Sequence, residues 1–135
     1  REHSKSELFE KLYRKKFDQS QIKECISDFE DKGLQSDQRY AEIYVKSKFK
    51  AQKGPQLITS NLMKNGINKN IIDTVLLEYT KEDWKNAAIT ALEKKTFSDK
   101  INNNEVRVKK QKLFLQLRGF DYSIIEKAIQ EFWKS

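Results

Sequence analysis

The sequence predicts an all-α fold of tandem three-helix repeats that stack into an elongated, curved helical array. Its 135 residues include only four Gly and one Pro, roughly a third of the usual share of these two types. Sheets need many turns, and turns use Gly and Pro, so an all-β sandwich or barrel is excluded. Apolar residues instead recur at three- and four-residue spacing, which is typical of amphipathic helices. The same pattern of helices and turns also occurs more than once along the chain.

The first three helices are predicted at 6–16, 19–32 and 37–52. Gly33 ends the second helix, because helices often end in a left-handed conformation that glycine adopts without strain. Ser36 is placed to cap the third helix, since a serine hydroxyl accepts a hydrogen bond from a free backbone N–H. The apolar stripes of the first two helices are Leu8, Phe9, Leu12 and Tyr13, then Ile22, Cys25, Ile26 and Phe29.

The next three helices are predicted at 55–65, 69–79 and 81–95. The fourth begins at its proline, a residue that suits the first helical position, and it ends at Gly66. Thr80 can cap the sixth helix. A polar stretch at 102–104 is the best candidate for a linker.

The last two helices are predicted at 105–118 and 122–134. Gly119 stops the first of them. The turn between the two is about three residues long, so they pack as a hairpin.

The chain contains three copies of one two-helix unit. Each unit has a helix, a stop residue, an apolar residue under the turn, an Asp or Asn cap and a second helix. The equivalent residues are Leu12, Phe17, Asp18 and Ile22, then Leu62, Ile67, Asn68 and Ile72, then Leu115, Phe120, Asp121 and Ile125. Unrelated amphipathic hairpins aligned by chance would agree in their apolar spacing. They would not also agree in the stop residue, the packing residue and the cap.

These matches predict three repeats. The first is a three-helix repeat at 1–52, the second a three-helix repeat at 53–97, and the third a two-helix remainder at 98–135. Lys16 is the exception to the pattern, because the other two repeats have glycine at this helix stop. If Lys16 is left-handed, it carries about 1 kcal/mol of strain. Since the chain begins at Arg1 rather than Met, we also expect residues to precede it.

Composition excludes several classes of protein. No apolar run is long enough to span a membrane, and no secretory signal is evident. The one cysteine, Cys25, cannot form an internal disulfide, so a cytoplasmic location is expected. With one His and one Cys, the usual zinc sites cannot be built, and we expect no metal or other cofactor.

Two helices carry dense positive charge within a chain of net charge +7. On the third helix, at about 100° per residue, four cations fall within roughly 60° of one another: Arg39, Lys46, Lys50 and Lys53. The seventh helix adds Arg107, Lys109, Lys110, Lys112 and Arg118. Such stripes suit a phosphate backbone or an acidic protein groove, although a solvated helix face would look the same.

The aromatic side chains mostly occupy the apolar stripes, so core packing is favoured over base stacking. Tyr13, beside Arg14, and Trp133, near the carboxyl end, fit a core position least well. No glycine-rich phosphate loop, HExxH, CxxC or GxSxG motif occurs. We therefore expect a binding protein rather than an enzyme.

Four ordered segments resemble the RecX family of bacterial regulatory proteins. They are Arg1-Glu2-His3-Ser4 with Glu7-Leu8 and Lys11-Leu12, then 37–45 with its Arg39-Tyr40-Ala41-Glu42, then Lys53-Gly54-Pro55 with Ile58, Leu62 and Gly66-Ile67, and last Arg118-Gly119-Phe120. Each segment alone is weakly specific, whereas the ordered set is specific and spans nearly the whole chain. RecX proteins are tandem three-helix repeats, so this resemblance implies the same fold.

The resemblance also implies a function. A RecX protein binds the filament of the RecA recombinase on single-stranded DNA and limits its growth, ATP hydrolysis, strand exchange and co-protease activity. Membership would make the partners RecA and single-stranded DNA, contacted directly or through RecA, and we expect a monomer. Arg39 and Arg118 are the positions where a family signature and a basic stripe coincide.

Two other functions compete with this one. A short turn between two helices also resembles a helix-turn-helix, which would make the protein a reader of duplex DNA. The helices after the turns at Gly66 and Gly119 carry acids such as Asp73 and Glu126, which oppose duplex binding. A passive helical-repeat adaptor with no nucleic-acid role is the third possibility.

Overall fold

The computed structural model describes residues 2–33, 35–95 and 103–134, and within these ranges it contains eight α-helices and no strand. The all-α prediction is confirmed. The helices are α1 (Lys5–Arg14), α2 (Gln19–Asp31), α3 (Asp37–Lys50), α4 (Pro55–Lys64), α5 (Lys69–Leu76), α6 (Lys81–Lys94), α7 (Asn104–Leu117) and α8 (Tyr122–Lys134).

Most of the helix starts have side-chain caps. Ser4, Asp18 and Thr80 each accept a hydrogen bond from the third helical N–H, and the side chain at that third position bonds back to the cap. These reciprocal pairs satisfy two backbone N–H groups that the helix itself leaves free. Ser36 caps α3 as predicted, since its Oγ accepts from the backbone N–H of Arg39 at 3.1 Å.

The three hairpin turns share one hydrogen-bond pattern. The residue after each stop donates its N–H to a carbonyl five residues earlier: Phe17 to Leu12 at 3.3 Å, Ile67 to Leu62 at 3.0 Å and Phe120 to Leu115 at 3.2 Å. The stop residues Lys16, Gly66 and Gly119 all have positive φ. Each turn therefore satisfies the last carbonyls of its first helix in the same way.

Three helices end at least two residues earlier than the sequence predicts: α1, which ends at Arg14, α3 and α5. α3 ends at Lys50, because Gln52 is left-handed with φ +55°. Lys53 is consequently not on the helix, so the predicted four-cation stripe of α3 is wrong at its last member.

α5 ends at Leu76 instead of continuing to Tyr79. The ring of Tyr79 lies 4.9 Å from that of Phe49 and 5.2 Å from that of Trp84, measured between centroids.

The chain divides into two compact units. The first unit comprises Arg1–Val45 and Thr59–Val75, and the second comprises Lys46–Ile58 and Leu76–Ser135. The first has a core of Ile22, Ile26, Tyr40, Ala41, Val45, Leu62, Ile67, Ile72 and Val75. The second has a core of Ile58, Trp84, Ala88, Leu92, Leu115, Phe120, Ile124, Ile125, Ala128 and Ile129. The repeat borders at 52/53 and 97/98 stay a prediction, and the second border lies outside the described residues.

Candidate anion-binding interface

Arg39, the predicted binding cation of the first unit, has an acidic partner within the chain. Its Nε donates to a carboxylate oxygen of Glu2, and its Nη2 donates to the carbonyl of Gly33 at 3.1 Å. The bond to the guanidinium lowers the pKa of Glu2, and the same bond raises the pKa of Arg39. Arg39 therefore fastens the amino-terminal segment to the start of α3, and its charge is largely neutralised.

The other predicted cations of α3 are free of acidic partners. Lys46 and Lys50 are exposed, and neither forms an ion pair with any residue that the structure describes. Both belong to the second unit. They are available to a ligand in a way that Arg39 is not.

Arg118 joins the end of α7 to the end of α3 within the second unit. Its Nε donates to the carbonyl of Gln52 at 2.9 Å, and its Nη2 donates to the carbonyl of Ala51 at 2.6 Å. In return, the backbone N–H of Gly54 donates to the carbonyl of Arg118 at 2.7 Å. A guanidinium just past the carboxyl end of α3 also meets the negative end of the helix dipole. This residue thus has a structural role, whatever else it binds.

Positive charges accumulate around that contact. Lys53 lies close enough to Arg118 that the guanidinium charge lowers the pKa of the Lys53 ammonium, with burial and the charge of Lys48 acting in the same direction. A lowered lysine pKa indicates an ammonium held in a positive potential without enough anionic compensation. An anion placed here would relieve that repulsion.

Two lysines at the carboxyl end of α6, its last residue Lys94 and the following Lys95, extend the same region. The ammonium of Lys94 donates to Oε1 of Gln52 at 3.4 Å. The ammonium of Lys95 and the guanidinium carbon of Arg118 lie 5.7 and 5.4 Å from the ring centroid of Phe114, within cation–π range. We call Lys48, Lys53, Lys94, Lys95 and Arg118 the basic cluster.

The remaining predicted cations lie on α7. The ammonium of Lys112 pairs with Glu126 of α8 at 2.8 Å, and this bond raises the pKa of Lys112 and lowers that of Glu126. Arg107 is half-buried, while Lys109 and Lys110 are exposed, and these three form no ion pair within the described ranges.

Comparison with known proteins identifies the family. The chain is 37% identical over 131 residues to the regulatory protein RecX of Acinetobacter baylyi, an alignment that covers 96% of this chain and 79% of that protein. It is 34% identical to the regulatory protein RecX of Legionella pneumophila, with 97% and 86% covered. The chain belongs to the RecX family. Its fold agrees with the crystal structure of RecX from Lactobacillus salivarius, at a TM-score of 0.91 and 31% identity, covering 100% of this chain and 88% of that one.

The family model for the second three-helix domain of RecX matches residues 36–76. That segment runs from the cap of α3 through α5. It includes four of the predicted cations, Arg39, Lys46, Lys50 and Lys53, and none of those on α7.

The sequence did not point to three members of the basic cluster in this RecX-family chain: Lys48, Lys94 and Lys95. Lys48 lies on α3 between the predicted stripe residues, and the two lysines at the end of α6 are more than 40 residues from Lys48 in the chain. The available signal was the pair of lysines at the predicted end of the sixth helix. The hydrogen bond from Lys94 to Gln52 shows that this helix end lies beside the end of α3.

Two classes of site are missing from the described part of the chain. No group of three or more His, Cys, Asp or Glu side chains there is placed to hold a metal ion. Among the helices of those residues, none combines the length and apolar character needed to cross a membrane.

Proposed function

We propose that this chain is a non-enzymatic regulator that acts in the cytoplasm as a monomer, binds RecA filaments on single-stranded DNA, and limits filament growth, ATP hydrolysis, strand exchange and co-protease activity. The relatives of this chain bear the name regulatory protein RecX, and RecA is the partner that RecX membership implies. The basic cluster is the observation that carries the proposal.

The basic cluster suits a ligand with distributed negative charge. Its five cations come from the end of α3, the segment after it, the end of α6 and the residue that follows α7. Exposed Lys46 and Lys50 continue the positive surface along α3. A DNA backbone or an acidic protein groove presents charges over such a length, whereas a small anion would engage only part of it.

Duplex reading by a helix-turn-helix is the less favoured function. The helix that follows the Gly66 turn begins with Lys69, and this ammonium is paired with Asp73 at 2.5 Å. Such a pair removes the charge that a recognition helix would offer to the major groove. A binding preference among duplex sequences would support this function instead.

The proposal is tested by the steady-state ATPase of cognate RecA on single-stranded DNA, with the protein titrated in at fixed salt. We expect inhibition well below one molecule per RecA, because a regulator of filament growth acts at few sites while a competitor for DNA must coat it. No effect at any ratio would contradict the proposed function.

Paired charge reversals locate the surface. We expect Lys46→Glu with Lys50→Glu, and separately Lys53→Glu with Lys95→Glu, to weaken inhibition on the order of tenfold, since each exposed ion pair contributes roughly 0.2–1 kcal/mol. Lys127→Glu with Lys134→Glu on α8 is the matched control, because it changes the net charge equally and should leave inhibition unchanged. Equal loss in all three variants would indicate general charge attraction and no defined site.

A further inference from the structure

The turn of the first hairpin has an exposed apolar residue where the other two hairpins bury theirs. Phe17, Ile67 and Phe120 occupy the same position in the same hydrogen-bonded turn. The side chains of Ile67 and Phe120 are 4% and 1% exposed, but that of Phe17 is 46% exposed. The first hairpin therefore leaves its turn open where the others are covered.

The covering of the other turns depends on glycine. A Cβ at Gly66 would lie 2.4 Å from Cβ of Ser6, and a Cβ at Gly119 would lie 2.4 Å from Cβ of Leu57. These approaches are possible only because the stop residue has no side chain. Lys16 carries a side chain at the equivalent left-handed position, so the first turn is not suited to receive a helix in this way.

Two further aromatic residues lie on α1, within eight residues of Phe17 in the chain. The rings of Phe9 and Tyr13 are stacked, with centroids 6.2 Å apart and planes within 11° of each other. Tyr13 is 60% exposed, and both rings line a cleft of about 340 Å³. We call Phe9, Tyr13 and Phe17 the aromatic platform.

The charge around the aromatic platform is mainly positive. Lys11, Lys15 and Lys16 are exposed and form no ion pair with the residues that the structure describes. Of the nearby acids, Glu10 is paired with Arg14 at 3.2 Å, and Asp18 caps α2. Unpaired cations close in the chain to exposed aromatic residues favour a polyanion that also has flat apolar groups.

We propose that the aromatic platform binds single-stranded DNA, with bases stacked on Tyr13 and Phe17 and phosphates contacted by Lys15 and Lys16. Proteins that hold single strands combine stacking rings with a positive surface in this way. An acidic peptide would satisfy the lysines but would leave the rings without a stacking partner. The proposal rests on the proposed function only in the choice of DNA as the ligand. Its test contains no RecA, so either can fail without the other.

The first experiment places a reporter in the aromatic platform. Tyr13→Trp puts an indole at the exposed ring position, and we expect oligothymidylate to quench its added emission as bases stack. Tyr122→Trp on α8, at another exposed tyrosine, is the matched control and should show no quenching. Quenching of both or of neither would overturn the proposal.

The second experiment separates stacking from charge. The unlabelled protein is titrated separately into fluorescent oligothymidylate and into a fluorescent abasic oligomer of equal length. Polyglutamate is then added as a competitor, and all measurements use the same low salt concentration. We expect binding of oligothymidylate to exceed that of the abasic oligomer about tenfold per stacked base. Tyr13→Leu with Phe17→Leu should abolish this difference. Equal binding of the two oligomers by the unaltered protein, or polyglutamate binding as strong as that of oligothymidylate, would contradict stacking.

Discussion

Gly54 lies so close to Gly119 that a Cβ on Gly54 would come within 2.3 Å of the carbonyl carbon and oxygen of Gly119. Two backbone hydrogen bonds hold the approach. The N–H of Gly54 donates to the carbonyl of Arg118 at 2.7 Å, and the N–H of Gln56 donates to the carbonyl of Gly119 at 3.0 Å. The start of α4 is thus bonded directly to the turn between α7 and α8.

An equivalent relationship occurs within the first unit. Ser4 Oγ donates to the carbonyl of Asn65 at 2.9 Å, and Ser6 leaves no space for a Cβ on Gly66. In both units the start of one hairpin's first helix therefore lies on the turn of the next hairpin. This recurring contact agrees with the internal repeat in the sequence, and it explains why the covered turns end in glycine.

Gly54→Ala should destabilise the protein by about 1–3 kcal/mol, the usual cost of overpacking. The added Cβ meets backbone atoms, which cannot rotate out of the way as a flexible side chain can. The free energy of unfolding, measured with urea, tests this prediction.

Gly33→Ala is the informative comparison for that variant. Gly33 has φ +71°, and a Cβ there would have no atom within 4 Å. We expect only the left-handed strain of about 1 kcal/mol. A Gly54→Ala variant as stable as the unaltered protein would mean that the two turns do not approach closely in solution.

Lys16→Gly should stabilise the protein by up to about 1 kcal/mol, because Lys16 has φ +68° and glycine removes the left-handed strain. The expected result is a higher melting temperature. Lys15→Gly is the control, since Lys15 has φ −83° and should gain nothing. A lower melting temperature for Lys16→Gly would remove the equivalence of this turn with those at Gly66 and Gly119.

The helices and the three hairpin turns could be predicted because they depend on neighbouring residues: caps, stops and apolar spacing. The early end of α3 could not, because Gln52 takes a left-handed conformation that is normally signalled by glycine. Charge on a helix face was also visible in the sequence, but its neutralisation was not. Arg39 is paired with Glu2, 37 residues away, and only the folded chain brings them together.

Arg118→Lys should separate the structural role of this residue from its charge. Lysine keeps the positive charge of the basic cluster, but it lacks the rigid planar guanidinium whose Nε and Nη2 donate separately to the carbonyls of Gln52 and Ala51. We expect a loss of about 1 kcal/mol in stability, read from urea unfolding, with inhibition of the RecA ATPase retained. Arg118→Gln is the companion variant, and it should lose both. If Arg118→Lys kept full stability, the guanidinium contacts would contribute little to the fold.

Glu2→Gln should flatten the acid side of the stability profile. The hydrogen bond to Arg39 lowers the pKa of Glu2 in the folded state. Its stabilising contribution is therefore complete above the unfolded carboxyl pKa of about 4.3 and is lost as the pH falls below that value towards the folded pKa. Because both side chains are partly exposed, the effect should stay under about 1 kcal/mol.

Melting temperatures between pH 7 and pH 3 test this pH dependence. The unaltered protein should be the more stable at pH 7, and the difference from Glu2→Gln should shrink as the pH falls through 4. Glu10→Gln is the control, because Glu10 and Arg14 form a solvent-exposed pair four residues apart on α1, and such pairs contribute little. A constant difference between Glu2→Gln and the unaltered protein at every pH would show that the carboxylate charge of Glu2 does not act through Arg39.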